Sequence, residues 1–170
     1  MPERVQLAKR QFRVAYAANP GNGSANETID YGPFEDWVGF HLRMAQDASF
    51  QAFDREAHGL EVRPGRFAAL VLIGRNPGIS QTVLSRAAGR DKSTLTPALR
   101  DLTRRGLVAC ERLAKDRRSY HLSLTPAGQS MLRRLTQCAA RHEHNLDRIV
   151  GARDREKLLR LLRKIMTEMG

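Results

Sequence analysis

The sequence predicts a mainly α-helical fold with a small β-wing: a winged helix-turn-helix lobe set between N- and C-terminal helices that form a dimerisation region. Three observations carry this. Apolar residues recur at helical spacing along most of the chain from Phe34 onward. A short helix, a glycine turn and a second helix follow one another between Ile79 and Gly106. Two strand-like runs, Leu107 to Arg112 and Ser119 to Leu124, then flank Leu113 to Arg118, a turn too polar to be core.

Composition bounds the reading. A chain of 170 residues with 41% hydrophobic and 28% charged residues can bury a real core as one domain. The net charge of +11 calls for a polyanionic partner, nucleic acid before an acidic membrane. No apolar run approaches the roughly 18 residues of a membrane helix, and no signal peptide is visible. The two cysteines, Cys110 and Cys138, suggest no disulfide framework, so a reducing cytoplasm is the expected address.

In chain order, Met1 to Ala18 is weakly amphipathic, with Val5, Leu7, Ala8 and Phe12 among Arg4, Lys9, Arg10 and Arg13. Asn19 to Asn26 has linker composition. Residues 1–32 are therefore expected to be a mobile extension, the alternative being an arm that packs on a partner subunit or touches DNA backbone. Residues 33–170 form the main domain: 33–58 and 125–170 supply dimerisation and effector helices, and 62–124 the winged lobe.

Phe34, Trp37, Val38, His41, Leu42, Ala45, Ala48 and Ala52 share one face of a helix that should end near His58-Gly59. Val62 and Pro64 introduce a helix with Phe67, Leu70, Val71 and Ile73 inside, broken by Asn76-Pro77-Gly78. Ser80 then caps a short helix with Val83, Leu84 and Ala87 inward and Gly89 at its end. Asp91 caps the next, whose Leu95, Leu99 and Leu102 point inward and which Gly106 stops. Pro97, two turns in, removes one backbone donor and is expected to kink that helix.

After the strands, Thr125 caps and Pro126 opens a long helix lined by Met131, Leu135, Cys138, His142, Leu146 and Ile149. Gly151 interrupts it. A last helix from about Asp154 to Met169 carries Leu158, Leu161, Leu162, Ile165 and Met169. These terminal helices are more apolar than one winged lobe can cover, so a homodimer is expected.

The face opposite Leu95, Leu99 and Leu102 carries Ser93, Thr96, Pro97, Arg100 and Arg104. Small hydroxyls near a helix start can approach base edges, and arginines further along reach guanine or phosphate. Between Arg86 and Arg118, ten basic residues meet four acidic ones, a net +6 in about a fifth of the chain. Helix and basic ribbon together match the electrostatic footprint of a DNA-binding module.

The chain here resembles the multiple-antibiotic-resistance regulator (MarR) family of bacterial transcription factors. The carrying residues are Asp91-Lys92-Ser93-Thr94-Leu95-Thr96, then Arg105-Gly106-Leu107-Val108, then Asp116-x-Arg118-Ser119-x-x-Leu122-x-Leu124-Thr125-x-x-Gly128. The resemblance implies that Asp116 orients the wing and that Arg118 or Arg117 enters the minor groove, with Lys115 beside them. The expected roles are base reading by Ser93, Thr94, Thr96 and Arg100, with Pro97 on the same face, and phosphate contacts by Arg90, Lys92 and Arg104. The partner would be a double-stranded, pseudo-palindromic operator in the bacterial nucleoid, and the protein most simply a repressor.

Trp37, His41 and Phe67 are candidates to line an effector cavity with Arg63 or Arg66 at its mouth; the simpler reading is aromatic core packing. Many members of the family bind aromatic carboxylates or aromatic acyl-CoA thioesters in that region, and surplus arginines would suit such anions. Competing readings are a redox or metal sensor of the same fold, or an architectural winged helix without an effector. Against the first, neither cysteine sits at the start of the first long helix, where the family's peroxide sensors carry theirs, and His142 and His144 point to different sides of one helix. No phosphate loop, nucleophile elbow or paired carboxylates on an apolar face are present, so no enzyme, cofactor or metal site is expected.

Overall fold

The described residues of the computed structural model are 29–60, 62–113 and 116–170, the side chains of 112–119 excepted. They fall into two compact units, one ending at Asp47 and one running from Ala48 to Gly170. The expected mobile extension lies outside the described residues except at positions 29–32.

In the first unit the helix expected from Phe34 starts later. Pro33 lacks an N–H and Trp37 is extended (φ −90°, ψ 116°), so Gly32–Asp36 closes as a 3-10 turn. Helix α1 then runs Val38–Glu56, crossing the boundary between the units. Four aromatic rings cluster around its start. Phe34 stacks on Phe40 at 5.1 Å and meets Trp37 edge-on at 5.1 Å, and Tyr31 tilts against Phe40 at 5.6 Å.

The second unit adds α2 (Pro64–Arg75), β1 (Ile79–Ser80), α3 (Gln81–Ala87), α4 (Lys92–Arg104), β2 (Val108–Leu113), β3 (Asp116–Leu124), α5 (Pro126–Val150) and α6 (Ala152–Met169). Three sequence expectations change. Ile79 opens no helix: it pairs with Leu122, and Ser80 with His121, so the sheet has three antiparallel strands in the order β1-β3-β2 rather than two. Both strands of the ribbon are also longer than expected: β2 reaches Leu113 and β3 already begins at Asp116. And α3 is rotated. It buries Leu84 and Ser85, while Val83 stays 53% exposed and Ala87 is exposed. Ser80 is both a sheet residue and the α3 N-cap, so the strand sets the phase of a helix only seven residues long. The buried Ser85 hydroxyl is satisfied by donating to the Arg90 carbonyl at 2.5 Å.

One core holds this unit. Leu70 and Ile73 of α2, Leu84 of α3, Leu95 and Leu102 of α4, Val108 and Leu122 of the sheet and Leu135 of α5 are fully buried together. The start of α5 is tied to the turn after α4. Thr125 Oγ1 donates to the Gly106 carbonyl at 2.6 Å and accepts the Gly128 N–H at 3.0 Å, and the Thr125 N–H donates to the Leu107 carbonyl at 3.1 Å. Gly128 lies so close to that carbonyl that a Cβ there would overlap the Leu107 backbone.

Towards its far end α5 is less covered than its pattern suggests. Leu135, Cys138 and His142 are buried, but Ile149 is 77% exposed. No residue of α6 is buried, and Leu158, Leu161, Met166 and Met169 are exposed. No helix among the described residues is long and apolar enough to cross a membrane.

Because the added methyl meets backbone, Gly128→Ala should destabilise the fold by about 1–3 kcal/mol, the usual range for overpacking. Leu102→Ala, which empties a fully buried site, should cost about 2–5 kcal/mol. Denaturant midpoints at unchanged slope check both.

Candidate nucleic-acid interface

The interface is built by two capped helices. Ser80 Oγ accepts the Val83 N–H at 3.3 Å and starts α3. Gly89 turns the chain with φ +59°, a conformation that costs glycine little. Asp91 then caps α4: its Oδ1 accepts the Thr94 N–H at 2.7 Å and the Ser93 hydroxyl at 2.5 Å, and its Oδ2 accepts the Thr94 hydroxyl at 3.2 Å. These bonds, led by the one from Ser93, hold the Asp91 carboxyl at about 2 against an ordinary 3.8.

With Leu95, Leu99 and Leu102 buried, α4 turns Lys92, Ser93, Thr94, Pro97, Arg100 and Arg104 outward, and Thr96 is half-buried. The helix is unbroken from Lys92 to Arg104, so Pro97 does not end it. The lost donor belongs to the bond that the Ser93 carbonyl would accept, at the exposed start of the helix.

The inner end of α4 is clamped by charge. The Asp101 carboxylate lies 2.6 Å from Arg104 Nη2, 3.3 Å from Arg66 Nη1 on α2 and 4.0 Å from Arg105 Nη1. Hydrogen bonding from Arg104 first, then the charges of Arg66 and its neighbours, hold that carboxyl below the usual range against the opposing effect of desolvation. Arg105 Nη2 also donates to the Leu60 carbonyl at 3.2 Å.

A family model described as MarR family matches residues 58–119, which span α2, the two capped helices and β2. A Thauera aromatica protein assigned as a transcriptional regulatory protein for the hcr operon is 32% identical over 151 residues, 88% of this chain and 90% of that one. The chain belongs to the MarR family. Its fold matches solved structures of the transcriptional repressor CouR. CouR bound to a 23-mer DNA duplex superposes with a TM-score of 0.76 at 31% identity, covering 82% of this chain and 99% of that one. CouR bound to p-coumaroyl-CoA gives 0.73 at 31% identity, covering 81% and 97%. As a MarR-family member the protein is a DNA-binding transcriptional regulator with a winged helix, not an enzyme.

The sequence-derived candidates fall out as follows. Ser93, Thr94, Thr96, Pro97 and Arg100 share the α4 surface with Lys92. Arg104 is exposed but hydrogen-bonded to Asp101. Arg90 lies across the start of α2, its guanidinium against Gly65. Lys115 lies outside the described residues, as do the side chains of Asp116, Arg117 and Arg118. Of the effector candidates, Trp37 and His41 belong to the first unit, where His41 Nε2 donates to the Glu35 carbonyl at 2.7 Å. Arg63, Arg66 and Phe67 belong to the second: Arg63 is exposed, Arg66 is committed to Asp101, and Phe67 stacks on Phe53 at 5.2 Å. Phe53 in turn meets the buried His142 edge-on, and His142 Nε2 and Ser49 Oγ share a hydrogen bond of 3.0 Å.

Sequence reasoning passed over Gln81 and Asp101. Gln81 Nε2 donates to Thr96 Oγ1 at 2.8 Å, joining α3 to α4. It also offered no hint of an open groove of 410 Å³ that Asn76, Pro77, Gly78, Ile79, Ser80, Val83 and His121 line, since the groove arises from the bend into β1.

The Asp91 cap sets a pH signature. Its carboxyl pKa is depressed on folding from 3.8 to about 2, so its stabilisation is complete above about pH 4 and is lost as pH falls towards about 2. The melting-temperature gap between the natural protein and Asp91→Ala should therefore stay constant from about pH 7 to about pH 5 and close between about pH 4 and pH 2. A gap that closes near neutrality contradicts the cap.

Proposed function

We propose that the protein is a homodimeric, ligand-responsive repressor that binds a pseudo-palindromic operator and is released by a small anionic aromatic effector, either an aromatic acid or its CoA thioester. The observation that carries this is the two-sidedness of α4: three leucines locked inward, and Lys92, Ser93, Thr94, Pro97 and Arg100 outward beside a basic hairpin. Ser93, Thr94, Thr96 and Arg100 read the major groove; Arg117 and Arg118 serve the wing, with Asp116 and Lys115; Lys92, Arg90 and Arg104 meet phosphates. CouR, similar over four-fifths of this chain, is a repressor seen bound both to a DNA duplex and to p-coumaroyl-CoA, which supports the pairing of operator and effector.

The dimer follows from uncovered apolar surface. Ile149, Leu158, Leu161, Met166 and Met169 are exposed, and a second copy is the simplest cover. Effector binding alters the spacing of the two α4 helices, so effector and operator weaken each other reciprocally. Arg66, occupied by Asp101, serves the α2–α4 clamp before it serves a ligand.

Fluorescence anisotropy tests this, using a duplex from the upstream region of the protein's own gene and a scrambled duplex, over a salt series. Aromatic acids and their CoA thioesters are added in parallel. Selective binding released by one ligand class supports the proposal. Equal, salt-sensitive binding to both duplexes, untouched by every ligand, makes the protein an architectural module. Arg118→Ala should weaken operator binding strongly with the fold intact. Arg100→Ala should cost about 1–3 kcal/mol and relax the preference at its base.

A further inference from the structure

The hydroxyl groups of Ser93, Thr94 and Thr96 on α4 have already spent their protons inside the protein. A serine or threonine hydroxyl carries one proton and two acceptor lone pairs. Ser93 Oγ donates to Asp91 Oδ1 at 2.5 Å, and Thr94 Oγ1 donates to Asp91 Oδ2 at 3.2 Å. Their acceptor is a carboxylate, which has no proton to return, and a charge-assisted bond of this kind is stronger than a neutral one to a base. Thr96 Oγ1 donates to the Lys92 carbonyl at 2.6 Å and accepts from Gln81 Nε2 at 2.8 Å, so its oxygen is turned towards α3 and its proton is spent as well. What Ser93 and Thr94 retain for a ligand is acceptor capacity. What Thr96 retains is chiefly its methyl group. Lys92, Arg100 and Arg104 are exposed donors on that surface.

Base edges differ in what they offer such a surface. In the major groove adenine N6 and cytosine N4 donate, guanine O6 and N7 and thymine O4 accept, and thymine alone adds a methyl. From this we infer that α4 reads its operator through hydroxyl lone pairs and a threonine methyl. The positions facing Ser93 and Thr94 then carry adenine or cytosine, and the position facing Thr96 carries thymine. Asp91 and Gln81 are positioning residues: neither needs to touch a base, and each sets which atoms its neighbours present. The inference rests on α4 being the element that enters the major groove.

The test is selection of a randomised half-site by the full-length protein and by variants. The facing positions are those where Ser93→Ala, Thr94→Ala or Thr96→Ala changes the natural preference. Asp91→Asn keeps an acceptor for the Thr94 N–H, and Asn caps helices as well as Asp does. Its amide nitrogen, however, replaces Oδ2, donates to the Thr94 hydroxyl and turns that proton outward, while Ser93 still donates to the retained oxygen. The expected result is a change of about fivefold at the position facing Thr94, from adenine or cytosine towards guanine or thymine, with the position facing Ser93 unchanged. Thr96→Val, which keeps a methyl and loses the hydroxyl, should retain the thymine preference; Thr96→Ser, which does the reverse, should lose it by a similar factor. The Thr96 pair stands even if Asp91→Asn unfolds.

A natural consensus with guanine or thymine opposite Ser93 and Thr94 overturns the inference and leaves the operator reading intact. So does an Asp91→Asn variant that binds all sequences more or less tightly without changing base preference. Loss of thymine preference in Thr96→Val with retention in Thr96→Ser overturns it too. If the natural protein enriches no sequence at all, the operator reading falls and takes this inference with it.

Discussion

The structure depends most on how α4 is seated. Leu95, Leu99 and Leu102 share one buried stripe, and their burial against α2, α3 and the sheet decides which residues face outward. A rotation by one residue, about 100°, would bring Arg100 and Thr96 into the core and expel the leucines. Charge reinforces the seating at the inner end, where Asp101 sits between Arg104 and Arg66, and hydrogen bonds reinforce it at the outer end through the Asp91 cap. Apolar burial holds the helix in place, and the polar groups at its two ends fix its phase.

That seating is transmitted to the wing by close backbone contact. The chain leaves α4 at Gly106, enters β2, returns in β3 and starts α5 at Thr125, whose hydroxyl bonds back to the Gly106 carbonyl. Gly128 permits the approach of α5 to Leu107. The pairing of Ile79 and Ser80 with β3 places the start of α3 on the same sheet. Helix α4, the strands β2 and β3 and the start of α5 are thus joined by direct backbone contact.

Polar groups inside the second unit are nearly all answered by partners. Ser85 donates to a carbonyl across the helix turn, and His142 is held between Ser49 and the edge of Phe53. Apolar groups on α6 stay exposed among the described residues. The contrast is between a polar-satisfied lobe and a terminal helix with exposed apolar side chains.

Periodicity and capping chemistry alone determined most of the helical plan. The leucine stripe of α4, the caps at Ser80, Asp91 and Thr125 and the break at Gly151 are local patterns, each with a local physical cause, and the structure holds all of them. Tertiary structure decided what depends on distant partners. Ile79 and Ser80 became a strand because Leu122 and His121 lie alongside, a pairing across more than forty residues that no window of sequence displays. Val83 faces outward because that strand sets the phase of α3. Arg66 reads as a ligand clamp in sequence and as a clamp on α4 in space, since only folding brings Asp101 within 3.3 Å of it. The hydroxyls of Ser93, Thr94 and Thr96 read as donors or acceptors alike until their neighbours are known. Which role each retains is a matter of hydrogen-bond geometry, and hydrogen-bond geometry is set by the fold.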